Sequence, residues 1–219
     1  MPALLLGSIG VVAETSDLQR KAYNDAFTEA GLDWHWSEDT YRSLLKAAGG
    51  RTRLSAEAAH KGQDIDVEAI HARKTALFGK ALDKGVPPRP GVRATLEAAR
   101  EAGWKTGFVT MTERANVERI LAATGLDAAL FDIVTDRSLD LAEKPDPAVY
   151  AYALERLGTT AGEAVAVEDN PDGLAAAHAA GIATFAFPGA YHDAGGFEGA
   201  AAMLDRLDFA TLRSHYGKR

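Results

Sequence analysis

The segment AVAVEDNPDGLAAAHAAGI, residues 164–182, decides how the rest of the chain is read. Ala164 to Val167 is apolar without alternation, which predicts a strand buried on both faces of a parallel sheet. Asn170-Pro171 couples an N-cap residue to proline at the first helical position, so a helix is predicted from there to Gly181. Ile182 to Phe187 reads as the next strand. Glu168 and Asp169 fall between the first strand and the helix, at a strand's carboxyl end, where open parallel sheets bind ligands.

The same alternation extends upstream. Val92 to Ala102 is a helix, Thr106 to Thr110 a strand, and Thr112 to Ala123 a helix stopped by Gly125. Phe131 to Thr135 is a short strand, and Asp146-Pro147 is a second cap pair opening a helix through Leu157. Two amphipathic pieces, 197–207 and 209–216, follow the last strand. Before VPPRPG (86–91), the pattern is helix and loop. Thr15 or Ser16 caps a helix carrying Leu18, Ala22, Tyr23 and Phe27. Ser37 opens another, and Asp66 caps a long one that stops at Gly85. Trp34 and Trp36 are expected to anchor these helices. A lone strand, Leu4 to Ser8, precedes them all. The predicted architecture is a doubly wound α/β core, residues 1–14 plus 88–219, interrupted after its first strand by an all-α cap, residues 15–87. The strand ends at Gly7–Gly10, Thr110–Thr112, Thr135 and Glu168–Asn170 are expected to line one crevice beneath that cap.

Composition narrows the function. The 219 residues are 47% hydrophobic and 25% charged, as in ordinary globular proteins, and the net charge of -7 argues against nucleic-acid partners. The absence of cysteine excludes disulfides, thiolate metal sites and cysteine nucleophiles. The six histidines are scattered without metal-ligand spacing. The first residues lack a basic stretch before a short apolar run, and no run approaches the roughly 20 apolar residues of a membrane span. A cytoplasmic protein with no membrane contact is the expectation.

The segments RPGVRATLEAAREAGWKTGFVT, FVTMTER, EKPDPAVYAYAL and AVAVEDNPDGLAAAHAAGI, in this order and spacing, resemble the haloacid dehalogenase superfamily. Within it they look most like the β-phosphoglucomutase and CbbY-like sugar-phosphate phosphatase branch. In the cap, AAGGRTRL and IHARKTALF resemble segments of that branch that meet the sugar phosphate.

The resemblance implies a nucleophilic Asp at the end of the first strand and an acid/base Asp two residues later, followed by Gly-Thr. Counted from Gly10, these positions hold Gly7 and Ile9, and the threonine position holds Val11. Both catalytic carboxylates are missing. Alternation along a strand turns Ser8 away from the face shared by Gly7 and Ile9, which leaves it packed under the sheet. Glu14 is expected to cap or solvate the first helix. Thr110 and Lys144 correspond to phosphate-binding residues, and Arg51, Arg53 and Lys74 to substrate-facing cations of the cap. Glu168 and Asp169 correspond to Mg²⁺ ligands, but one anionic ligand is gone and metal binding is expected to be weak at best. Either acid is then free to pair with Lys144. Three readings follow: a binding or regulatory protein for a small phosphorylated ligand, an active phosphohydrolase or mutase with another nucleophile, or a structural partner of an active paralogue. No protein partner is named by the sequence.

Overall fold

The computed structural model describes residues 1–45, 49–191 and 195–216. The chain forms two compact units: Met1–Glu14 with Gly85–Arg219, and Thr15–Lys84. Residues 85–87 belong with the first unit, where the Val86 N–H donates to the Ala123 carbonyl at 2.9 Å.

The first unit is built on a parallel sheet. Its strands are β1 (Ala3–Leu6), β2 (Lys105–Phe108), β3 (Ile133–Val134), β4 (Ala164–Glu168) and β5 (Ala183–Ala186), in the order β3-β2-β1-β4-β5. Leu4, Leu5 and Leu6 are wholly buried because β1 sits at the centre, with Leu5 opposite Gly107 on one side and Ala166 on the other. Residues pointing to both faces are therefore apolar, the pattern of a sheet covered twice.

After β1 the chain makes one helical turn, α1 (Ile9–Val12). The other helices of this unit are α6 (Val92–Glu101), α7 (Arg114–Thr124), α8 (Ala148–Leu157), α9 (Pro171–Ala179) and α10 (Phe209–Arg213). Val149, Tyr150 and Ala153 of α8 and Ala176 and Ala177 of α9 pack on the sheet face carrying Ala3, Leu5 and Ala166. Each fully buried large apolar side chain here contributes about 1.5–3 kcal/mol. Asn170 caps α9 through Gly173 N at 2.8 Å, with proline in the first turn. At α8 the cap pair is displaced by one residue. Pro147 is itself the N-cap and the helix starts at Ala148, whose N–H is taken by Asp146 Oδ1 at 2.8 Å. The amphipathic piece around 197–207 is not helical. Its Ala201–Leu204 stretch runs beside β5, with Ala201 N donating to Thr184 O at 2.8 Å and Ala186 N to Ala202 O at 2.9 Å, which covers that sheet edge.

The second unit is all helical: α2 (Ser16–Glu29), α3 (Glu38–Leu44), α4 (Gly50–Lys61) and α5 (Val67–Leu82). Helices α2 and α5 pack together, and Ser37 and Asp66 cap α3 and α5 as their sequences predict. The core is aromatic. Trp36 lies 4.7 Å from Tyr23 and 4.9 Å from Phe27, and Trp34 lies 5.2 Å from Phe27, ring centre to ring centre. No helix among the described residues is long and apolar enough to cross a membrane.

Candidate functional site

The carboxyl ends of the central strands meet around one buried carboxylate. Glu168 ends β4 and is fully buried. Its Oε1 accepts from Lys144 Nζ at 2.6 Å and from the Tyr150 hydroxyl at 2.6 Å. Lys144 Nζ also donates to the Gly7 carbonyl and, at 3.0 Å, to the Val109 carbonyl. An ammonium has three N–H donors, and all three are used. Glu168 Oε2 is buried without a hydrogen-bond partner among the described residues. Burial pushes the Glu168 carboxyl up, against the pull of Lys144, and burial with the Glu168 charge pushes the Tyr150 phenol well up.

Two glycines make room for this carboxylate. A Cβ on Gly7 would lie 2.1 Å from Glu168 Oε1 and 2.2 Å from the Tyr150 hydroxyl. On Gly173 it would lie 2.2 Å from Glu168 Cδ. Gly7 N donates to Val167 O at 2.9 Å, so residue 7 continues the β1–β4 ladder while presenting no side chain to it.

Asp169 is engaged differently. Its Oδ1 accepts from Ser8 Oγ at 2.5 Å and from Asn170 Nδ2 at 2.8 Å. Ser8 is thus turned to the carboxyl end of β4 and is not packed under the sheet. The alternation rule fails because β1 ends at Leu6 and Ser8 already caps the turn of α1. Ile9 opens that turn, and its carbonyl accepts from Ala13 N at 2.8 Å. Glu14 Oε2 accepts from Ala190 N at 2.7 Å. Thr110 is buried after β2, where its Oγ1 accepts from Thr112 N at 3.3 Å and its carbonyl accepts from Thr135 Oγ1 at 2.7 Å. The strand-end segments expected to converge are therefore linked through side chains.

This donor set does not fit Mg²⁺ as arranged. One Glu168 oxygen and the Gly7 carbonyl are held by an ammonium, and Asp169 Oδ1 by a serine and an amide. Among the described residues no group of three or more His, Asp or Glu side chains is placed to hold a metal.

The helical unit gathers charge of the opposite sign. Lys74 is buried, donates to Gln19 Oε1 at 2.7 Å, and rests 4.7 Å from the Tyr23 ring centre. Burial, aided by the Arg53 charge, lowers its pKa to about 8. His71 is pushed down by burial and by Arg51, Lys74 and Arg53. Gly50 lets the start of α4 approach this group, since a Cβ there would lie 2.4 Å from the Tyr23 hydroxyl and 2.9 Å from His71 Nε2. Arg51 is exposed and turned to Glu68, its Nε 2.7 Å from Oε1. Ala47 and Ala48 of the AAGGRTRL segment, and His192, lie outside the described residues.

Tyr150 was not legible as a site residue. The available signal was a hydroxyl on the inward stripe of α8, among Val149, Ala153, Leu154 and Leu157. Tyr23, Gln19 and His71 carried no comparable signal.

The sequence profile of the haloacid dehalogenase-like hydrolases matches residues 4–181. Protein CbbY of Cupriavidus necator, plasmid-encoded, is 38% identical over 222 residues, spanning 94% of this chain and 86% of that protein. The crystal structure of CbbY from Rhodobacter sphaeroides in complex with phosphate superposes with a TM-score of 0.82 at 34% identity, over 97% of this chain and 96% of that one. A mutant of the same Rhodobacter protein in complex with xylulose-(1,5)bisphosphate gives a TM-score of 0.81 at 34% identity, over 94% and 95% of the two chains.

Proposed function

We propose, for a chain that belongs to the haloacid dehalogenase-like hydrolase family, a protein that binds a small phosphorylated ligand without transferring its phosphoryl group. The observation that carries this reading is the seat of Lys144. Its ammonium is bound to the Gly7 carbonyl, the Val109 carbonyl and Glu168, where the resemblance calls for a nucleophilic carboxylate at residue 7. Gly7 and Ile9 offer neither a nucleophile nor an acid/base, and loss of the covalent nucleophile of a serine protease lowers its rate by about 10⁶-fold.

Binding capacity rests on groups outside that ion pair. Lys74 and Arg53 in the helical unit, with the His71 imidazole held neutral beside them, give a cationic pair that a phosphate would neutralise. In the α/β unit, Thr110 and the start of α7 offer a hydroxyl and backbone N–H groups. The solved complexes of Rhodobacter CbbY with phosphate and with a ketose bisphosphate support a sugar phosphate as the ligand class.

One contact favours a second reading. Ser8 Oγ donates to Asp169 Oδ1 at 2.5 Å, a hydroxyl poised beside a carboxylate at the end of β1. In that reading Ser8 is the nucleophile of an active phosphohydrolase. The two are separated by turnover of p-nitrophenyl phosphate and xylulose 1,5-bisphosphate by the parent and Ser8→Ala. Negligible turnover, together with a rise in melting temperature on adding the bisphosphate, is expected. Turnover abolished by Ser8→Ala would replace the binding reading with the catalytic one.

A further inference from the structure

We propose that Lys74 is a nucleophilic amine, and that it holds the open-chain carbonyl of an aldose or ketose phosphate as a reversible imine. The inference deepens the ligand-binding reading and rests on it for the ligand's phosphate.

Desolvation makes an amine of this lysine. Lys74 lies on α5 with 7% of its surface exposed. Its Nζ stands 4.7 Å from the Tyr23 ring centre and 5.2 Å from that of Phe78. It donates to Gln19 Oε1 at 2.7 Å, a neutral acceptor that leaves the ammonium charge uncompensated. The neighbouring charge that acts on it, Arg53, has the same sign. A lysine desolvated against apolar rings beside a second cation is the arrangement that frees the amine lone pair for attack on a carbonyl. With a pKa of about 8, about half of the side chains carry the free amine at pH 8, against about 0.3% for an ordinary lysine.

Proton carriers stand alongside. His71 and Lys74 are three residues apart on α5 and share a face of the helix. The Tyr23 hydroxyl and His71 Nε2 converge on one point, 2.4 and 2.9 Å from where a Cβ on Gly50 would lie. Burial keeps the phenol protonated and the imidazole neutral, so the pair offers one group that gives a proton and one that takes it. Gln19, Arg53 and His71 are half-buried, which leaves the amine approachable from their side.

The step balances without a further reactant. The nitrogen lone pair adds to the carbonyl carbon, and the carbonyl oxygen takes a proton as the nitrogen loses one. The resulting carbinolamine expels that oxygen as water, the second N–H proton departing with it as the C=N bond forms. Water entering by the same route releases the ligand. Arg53 supplies charge for the phosphate, whose ester bond is untouched throughout.

The test is reductive trapping on the full chain. Xylulose 1,5-bisphosphate is the probe, because esterification of its 5-hydroxyl keeps the ketone from closing into a ring. Parent, Lys74→Arg and Lys74→Met are treated with it and cyanoborohydride at pH 7.5, then read by intact mass and peptide mapping. The parent should gain the mass of one ligand less one oxygen atom, on the peptide bearing Lys74. That adduct should form at least about tenfold faster than on any other lysine, since the free-amine fraction is larger by more than this. Both variants should lose it while keeping the parent's circular dichroism, and if neither folds the map of the parent alone decides. Label spread evenly over the lysines of the parent overturns the proposal. So does a rise in melting temperature with the bisphosphate but no trapped adduct, which would leave the ligand-binding reading intact. Labelling of Lys74 by glyceraldehyde as fast as by glyceraldehyde 3-phosphate would sink the phosphate-binding reading and leave the nucleophile standing.

Discussion

Gly7 and Glu168 contend for one volume: a Cβ on residue 7 would stand 2.1 Å from Glu168 Oε1. The glycine is therefore a packing requirement of the buried carboxylate. Gly7→Ala should destabilise the protein by about 1–3 kcal/mol, the usual range for overpacking a close-packed interior. Because the second contact is the Tyr150 hydroxyl, at 2.2 Å, adding Tyr150→Phe should recover part of the loss. Denaturant titrations of the two single variants and the double variant measure this. Purely additive losses would show that the collision is relieved elsewhere.

The Lys144–Glu168 pair predicts a strongly non-additive cycle. Removing one partner leaves the other charged and buried, and such losses run to about 3–5 kcal/mol. Removing both leaves no orphaned charge. Lys144→Met and Glu168→Gln should each be severe, and their combination milder than the sum by more than about 1 kcal/mol. Equal and additive losses in urea unfolding would mean that the pair is not coupled in solution.

Lys74 predicts a pH dependence at alkaline pH. In the folded chain it releases its proton near pH 8, against an ordinary value of 10.5. Between these values the unfolded chain holds the extra proton, so stability due to this group rises as the pH climbs from about 8 to 10.5 and is flat below. The whole effect is of the order of 3 kcal/mol, the free-energy equivalent of the shift. The measurement is the stability difference between the parent and Lys74→Met at pH 7 and pH 10, which cancels the other titrating groups. A difference that stays constant would place a compensating anion beside Lys74.

Gly7→Asp with Ile9→Asp restores the carboxylates that the resemblance calls for, and does so against the packing around Glu168. Without metal the double variant should be less stable than the parent, because a new acid meets Glu168 and Asp169. Added Mg²⁺ should recover part of the loss. Calorimetry showing equal Mg²⁺ affinity in parent and variant would mean that residues 7 and 9 are not directed at the two acids.

Much of the sheet was legible because parallel strands buried on both faces leave unbroken apolar runs, as Leu4–Leu6 and Ala164–Val167 do. Caps at Ser37, Asp66 and Asn170 were legible because their side chains accept from the first turn whatever the tertiary context. Helix α4 leaves little trace in the sequence, since GRTRLSAEAAHK buries only Leu54 and Ala58. Ser8 was misdirected by extending strand alternation past Leu6, where the backbone turns helical within two residues. The sequence leaves Lys144 free to pair with either Glu168 or Asp169, and the structure pairs it with Glu168. The part of Tyr150 was not legible, because nothing in a helical stripe reveals which strand end a hydroxyl will meet.

The placement of β1 carries a consequence for biosynthesis. It occupies the middle of the sheet, between β2 and β4, although it precedes every other strand in the chain. The contiguous helical unit, residues 15–84, has all its own contacts available as soon as Lys84 has left the ribosome. Ala3–Leu6 has no neighbouring strand until residues 105–108 emerge, and is flanked on both sides only after Glu168. Until then this strand of consecutive leucines is a nascent-chain segment without both neighbours, the kind of exposed apolar stretch on which holding chaperones act.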